Sequence, residues 1–304
     1  VDDVELPECG PRDVVVDVHA CGICGSDLSF IRMGGLAGPG QPMALGHEFA
    51  GVVRTVGSEV TGVAVGQRVV VHPGDDDLGR IGTGAPEGGL ATAVLVREAA
   101  RGGRLFAVPD GMPIDVAALA EPVAVGMHAA ERVDVGVDDK VAVFGCGPIG
   151  LAAIAALADR GLTDVVGIDL SATRRDLAEQ MGATVTVDPV AQNVWRELAR
   201  IHGTTTEMFG NAPSTKGYIE ASGSDKVLTE IVDRAGRHSH ISVVALHYNP
   251  VPVNFVNVLM RELTIHGSME YPDRFSDAVD LLARRDLSAL ITDRFPLHRI
   301  DEAL

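Results

Sequence analysis

A chain of 304 residues with 46% hydrophobic and 22% charged content is long enough for two domains with cores of their own, and no apolar run reaches membrane-spanning length. The net charge of -17 opposes binding to nucleic acid and to anionic lipid, leaving small molecules or proteins as partners. Cys9, Cys21, Cys24 and Cys146 are too few for a disulfide scaffold, and the opening VDDVELPECG has no basic segment followed by an apolar core, so the expected setting is the cytoplasm.

From Val1 to about Ala120 the chain is rich in Gly and Val. Short apolar or alternating runs, Val14 to His19, then GVVRTVG and QRVVVHP, are separated by turn residues, which is the pattern of a twisted β-rich domain. At Ile114 it changes to helix, through IDVAALAEPVAVGMHAAERV. Val141 to Phe144 is a strand, and Val165 to Ile168 a second. Ser171 caps a helix over Thr173 to Met181, Thr184 to Val187 is a strand, and Asn193 to His202 is helical. Gly210 to Ser214 reads as a loop on its Gly, Asn, Pro and Ser content. Lys216 to Ala221, His240 to Ala245 and Leu263 to His266 are strands, with a helix over Asp225 to Ala235. Tyr271 to Arg285 is an amphipathic helix, and Leu290 to Leu297 (LITDRFPL) reads as a strand. The alternation predicts a right-handed, doubly wound parallel sheet.

Between the strands at Val141 and Val165, Gly145, Gly147 and Gly150 give G-x-G-x-x-G where a helix must begin. The first glycine allows a tight turn, the second lets a pyrophosphate approach the backbone, and the third lets the helix pack closely on the strand. Pro148 suits the first helical turn, whose free N–H groups and dipole favour a phosphate. Asp169 closes the second strand, where its carboxylate can accept both ribose hydroxyls. It favours NAD over NADP, because a 2′-phosphate would face its charge. Candidate cofactor contacts are Gly145, Gly147, Pro148, Ile149, Gly150, Asp169 and Arg174.

Two segments of the β-rich part carry groups a core would not keep, Cys21-Gly22-Ile23-Cys24-Gly25-Ser26-Asp27 and Gly46-His47-Glu48. A thiolate, an imidazole and a carboxylate suit zinc, and three protein ligands with an exchangeable position make a catalytic site. Cys-x-x-Cys can also be a redox pair or half of a structural zinc site, although no second Cys-x-x-Cys completes the latter, and either thiol can simply be core.

In this order, GICGSD, GHEFAGVV, AEPVAVGMHA and VFGCGPIGL resemble the medium-chain zinc-dependent dehydrogenases, and within them the sorbitol and butanediol dehydrogenase branch. The resemblance implies a GroES-like β-rich catalytic domain over residues 1–120, a Rossmann NAD-binding domain over 121–269 and a return segment over 270–304. It implies catalytic zinc on Cys24, His47 and Glu48, with Glu121 at the remaining position. Ser26 would take the substrate's proton and Asp27 would orient His47, while Cys21 matches no ligand position and is expected in the core. A small-molecule alcohol or ketone substrate and a homodimer or homotetramer follow from the same resemblance.

The sequence also departs from that family. Where many members carry a proton-relaying histidine, this chain has Ser29, and His19 and His128 read as structural histidines instead. Many members insert four cysteines for a structural zinc between the VVVHP strand and the GG-x-A segment. His72 to Gly89 has no cysteine, so one catalytic zinc and no structural zinc is expected. The family pattern also expects a strand before Val1 and another after Leu304. Phe30, Met33 and Met269 would supply apolar lining for a substrate less hydrophilic than a hexitol. A zinc-free NAD(P)H-dependent reductase of the same superfamily and an inactive nucleotide-binding regulatory protein are the alternatives at this point.

Overall fold

Val-rich runs separated by turn glycines become an antiparallel sheet in the first part of the chain. The structure is a computed structural model and describes residues 4–35, 43–74, 79–207 and 210–304. Two units are distinguished, Val1–Glu121 with Phe275–Leu304, and Pro122–Arg274.

In the first unit, β1 (Val14–Gly22), the helix α1 (Gly25–Met33), β2 (Glu48–Val56), β3 (Arg68–Val71), β4 (Ala93–Val96) and β5 (Leu105–Ala107) follow in order. Among the described residues these strands form one sheet in the order β4-β1-β2-β3-β5. Alternate side chains point inward, so Val14, Val16, Phe49, Val53, Val69, Val71, Val94 and Val96 share one core. Burying each stabilises the unit by about 1.5–3 kcal/mol relative to exposure. The register of β1 against β2 shifts at Val15/Val16 and Val18/Ala20, and exposed His19 sits in the second irregularity. The helix α1 is an addition to the β-rich expectation.

The helical stretch from Ile114 is broken in two, α2 (Ile114–Ala118) and α3 (Ala120–Arg132). Pro122 accounts for the break: it has no N–H to give a preceding turn, and it is tolerated in the first turn of α3.

In the second unit the succession is β6 (Lys140–Phe144), α4 (Pro148–Asp159), β7 (Asp164–Ile168), α5 (Ala172–Met181), β8 (Val185–Val187), α6 (Val194–His202), β9 (Thr204–Glu207), β10 (Gly210–Pro213), β11 (Gly217–Glu220), α7 (Asp225–Arg234), β12 (His240–Val243), α8 (Phe255–Arg261) and β13 (Thr264–Gly267). Six strands pair in parallel in the order β13-β12-β11-β6-β7-β8. Ser171 and Asn193 cap α5 and α6 by accepting the backbone N–H of Arg174 and Arg196. Helix α4 is buried from Gly150 to Leu157 and runs close to α3, since a Cβ on Gly126 would lie 2.5 Å from that of Ala152.

Two expectations are corrected. Gly210–Pro213 is not a loop: it is β10, paired antiparallel with β9 from Gly210 opposite Glu207 to Pro213 opposite Thr204. Turn-forming composition is overridden because the ladder gives these backbone groups partners. Leu290–Leu297 is not a strand: it runs from one 3-10 turn (Ser288–Leu290) to another (Leu297–Arg299). Asp293 and Pro296 interrupt its apolar pattern, and Arg294 is drawn instead into an ion pair with Asp115 at 2.7 Å. The helix expected from Tyr271 begins only at Ser276, as α9 (Ser276–Arg284). Among the described residues no helix is long and apolar enough to cross a membrane.

Gly150 and Gly147 differ in what surrounds them. A Cβ on Gly150 would lie 1.9 Å from the Gly145 carbonyl oxygen, whereas one on Gly147 would meet nothing within 4 Å among the described residues. In urea unfolding, Gly150→Ala is therefore expected to lose about 1–3 kcal/mol. Gly147→Ala is expected to lose under about 1 kcal/mol, the difference between glycine and alanine at a helix N-cap.

Candidate functional site

Antiparallel pairing places Gly22, near the end of β1, opposite Glu48, at the start of β2. Cys24 then caps the N-terminus of α1. Gly46 turns the chain into β2 with φ +85°, and a Cβ there would lie 2.5 Å from the Leu90 nitrogen and 2.8 Å from the Cys21 sulfur. Gly22 has a different role. A Cβ on it would lie 2.0 Å from Glu48 Oε2, so the missing side chain is the space the carboxylate occupies. Sequence reading gave Gly22 no function, and only the strand register reveals one.

The consequence is a cluster. Ligand atoms of Cys24, His47 and Glu48 all lie within 4.8 Å of one another, the one such group of three or more among the described residues. His47 is buried, and its Nδ1 has no hydrogen-bond partner among the described residues. Burial, with the Glu48 and Glu121 charges, pushes the Cys24 thiol up to about 12, against the hydrogen bonds of Ser26. Burial also raises the Glu48 carboxyl, with Asp27 adding to it and His47 opposing. Thiol and carboxyl are thus held toward their neutral forms, and a bound cation is what reverses that balance. One sulfur, one imidazole nitrogen and one carboxylate oxygen at this spacing fit zinc with a position left open.

Glu121 lies in the first turn of α3, buried and outside the close cluster, although its charge reaches the Cys24 and Cys21 thiols. Asp27 is fully buried, and its charge is satisfied by backbone: Oδ2 accepts from Cys24 N–H at 2.9 Å and Oδ1 from Gly46 N–H at 3.0 Å. Its Oδ1 is 3.8 Å from His47 Nδ1, beyond hydrogen-bond distance, so in this structure Asp27 ties the two ligand-bearing segments together by their backbones. Ser26, half-buried, stands beside Cys24. The Ser29 hydroxyl donates to the Gly25 carbonyl at 3.0 Å within its own helix. The Cys21 thiol packs against the sheet core, and burial raises its pKa well above the ordinary value. His128 lies 3.8 Å from Glu131 on α3. Phe30 is half-buried on α1, while Met33 and Met269 are exposed. Residues 72–89 hold no cysteine, and 75–78 of that segment lie outside the described residues.

In the second unit the glycine-rich turn links β6 to α4. Gly145 has φ +92°, and a Cβ there would lie 2.7 Å from the Ala221 backbone. Gly147 is the N-cap of α4, Pro148 and Ile149 begin the helix, and the open space at Gly147 is a cradle that any side chain would fill. Asp169 is buried at the end of β7. Its Oδ2 accepts from Cys146 N–H and its Oδ1 from Ser171 N–H, each at 2.8 Å. A carboxylate has about four acceptor sites, so both oxygens keep capacity for ribose hydroxyls. Exposed Arg174 reaches to 4.0 Å from Oδ2, while Arg175 is held by the Asp169 and Leu170 carbonyls and by Asp188.

Comparison with known proteins matches both units. Residues 10–110 match the family described as alcohol dehydrogenase GroES-like domain, and residues 148–284 the family described as zinc-binding dehydrogenase. Rat sorbitol dehydrogenase is 32% identical over 100% of this chain and 88% of its own. The crystal structure of 2R,3R-butanediol dehydrogenase from Bacillus subtilis is 30% identical with a TM-score of 0.80, covering 95% of this chain and 86% of that one. A protein from Sinorhizobium meliloti, assigned as a zinc-binding dehydrogenase and bound to NADP, is 29% identical with a TM-score of 0.86, covering 99% and 90%. The fold is a GroES-like β-rich domain with a Rossmann-type parallel sheet.

The contact between Gly22 and Glu48 is directly testable. Gly22→Ala presses mainly on the Glu48 carboxylate, with the Glu48 Cβ next at 3.1 Å, so its thermal midpoint should stay near that of the parent. Zinc affinity, read by competition with a chromophoric chelator, should fall about tenfold or more.

Proposed function

The chain belongs to the medium-chain zinc-dependent alcohol and polyol dehydrogenases, enzymes acting on the CH–OH group of their donors, and on that premise we propose that it uses one zinc ion and NAD to interconvert a secondary alcohol, diol or polyol with its ketone. The observation that carries this reading is the cluster of Cys24, His47 and Glu48. Those three side chains would hold the metal, with the charge of buried Glu121 felt at the same thiol. Bound there, zinc would act as a Lewis acid toward the alcohol oxygen, and NAD would accept the hydride.

The residues of the chain have the remaining work. Ser26, at the start of α1 beside Cys24, takes the hydroxyl proton. Asp27 fixes the approach of the two ligand segments through Cys24 N–H and Gly46 N–H. The turn at Gly145, Gly147 and Gly150 receives the pyrophosphate, and Asp169 receives the ribose. NAD is favoured over NADP because the Asp169 carboxylate is buried, fixed by two N–H donors and only distantly faced by Arg174.

A cytoplasmic homo-oligomer is part of the same reading. Its support is a surface: β13 is an edge of the six-stranded sheet, and Phe255 and Leu259 on neighbouring α8 are each 73% exposed.

Elemental analysis of the purified protein should find about one zinc per chain, and Cys24→Ala should lose both the metal and dehydrogenase activity across a panel of secondary alcohols and polyols. Protein purified without chelators and still free of zinc would move the zinc-free reductase to the front. For the nucleotide, Asp169→Asn keeps an acceptor and removes the charge, so the ratio of kcat/KM for NAD over NADP should fall about tenfold. An unchanged ratio would mean that this carboxylate does not select the cofactor.

A further inference from the structure

In the sheet, β6 and β11 are neighbours, yet the chain proceeds from them in opposite directions, through β7 and β8 on one side and through β12 and β13 on the other. Such a reversal opens a crevice at the carboxyl ends of the strands, and a dinucleotide lies across it. Gly145 and the Ala221–Ser222 backbone meet at this point. Asp169 stands on the β7 side. On the β11–β12 side stands a second ionisable group, unrelated to the metal cluster.

Glu220, fully buried at the end of β11, is its centre. Its Oε1 accepts from the Ser222 N–H at 2.9 Å, the Ser222 hydroxyl at 2.6 Å and the Gly223 N–H at 3.0 Å. Its Oε2 is 2.9 Å from His247 Nε2, and the other ring nitrogen is 2.8 Å from Asp225 Oδ1. The Glu220 carbonyl accepts from Val244 and Ala245 N–H at 3.0 and 3.3 Å. One residue therefore holds the loop after β11 and the loop after β12 together. With both carboxyl groups ionised, a neutral imidazole, which carries a single N–H, can donate to only one of them, and the ring that donates to both through its two nitrogens is an imidazolium.

We propose that Glu220, His247 and Asp225 form a positioning clamp that shapes the half of the cofactor crevice opposite Asp169, and that loss of one proton from His247 releases the clamp and weakens binding of the nicotinamide end. The proposal rests on the dinucleotide reading given above. Burial opposes the charged ring, but the hydrogen bonds and charges of Asp225 and Glu220 outweigh it and raise the His247 pKa. A raised pKa means that the clamp is complete below the ordinary imidazole value and is lost as pH rises through the raised one. Among the described residues, the charged groups bonded to the ring are Glu220 from β11 and Asp225 from α7, and the ring's own loop, residues 244–254, carries no titratable side chain besides His247 itself and the Tyr248 phenol.

The test measures NADH binding by fluorescence titration between about pH 6 and about pH 9, with ADP-ribose as the probe that lacks the nicotinamide ring. In the parent protein NADH affinity should fall about tenfold across this range, while ADP-ribose affinity stays level. His247→Gln should bind NADH weakly at every pH, with a cooperative thermal melt to show that it folds. In Asp225→Asn a neutral ring can donate to Glu220 and accept from the new amide, so the pH step should vanish with tight binding kept; this comparison decides the matter if His247→Gln fails to fold. A step that survives in Asp225→Asn, a parent profile without a step, or an equal step for ADP-ribose overturns the clamp and leaves the dinucleotide site standing. Failure of both probes to bind at any pH overturns the clamp and the dinucleotide reading together.

Discussion

Two separate segments carry Cys24, His47 and Glu48, the groups that could hold a metal ion, and the antiparallel ladder between β1 and β2 is what brings them together. The ladder sets Gly22 against Glu48, and the fully buried Asp27 then holds the backbone of both segments with two charge-assisted hydrogen bonds. A buried carboxylate without such partners would be strongly unfavourable. Here the unfavourable burial is offset by the same N–H groups that need fixing for the thiol and imidazole to converge. The absence of a Cβ at Gly22 gives the Glu48 carboxylate its place, so a small residue on one strand positions an acidic group on the next.

The nucleotide half obeys a different constraint. Its geometry depends on how closely backbone can approach backbone: Gly150 against the Gly145 carbonyl, and Gly145 against Ala221. Asp169 takes part in this closeness, since it accepts from the turn through Cys146 N–H as well as standing ready for a ribose. The shape of the turn and the charge at the end of β7 are therefore tied to one side chain.

Most of this was legible in the sequence, for physical reasons. Glycine spacing, the strand before it and the acidic residue after it are local signals, and the parallel sheet followed from the alternation of elements. Cys24, His47 and Glu48 were legible because each is a chemically costly residue in an otherwise apolar stretch. The failures share a cause in non-local pairing. Gly210–Pro213 has the composition of a loop and is a strand because β9 supplies its hydrogen bonds. Leu290–Leu297 has strand-like composition and forms none, with Pro296 near its end and Arg294 committed to Asp115. The role of Gly22 needed a register, and the grouping of Glu220, Asp225 and His247 needed the strand order, neither of which a linear pattern contains.

Helix α4 has one further consequence. With every residue from Gly150 to Leu157 buried, it has no solvent-facing side along that stretch and little room to fray. Burial of this kind places its amide groups toward the high end of the local stability scale. The N–H groups at its start are thereby held in place before any phosphate arrives, so little conformational entropy is lost when one does. Rigidity at this spot makes the turn a fixed reference, against which the surrounding loops can move without blurring the position of a bound nucleotide.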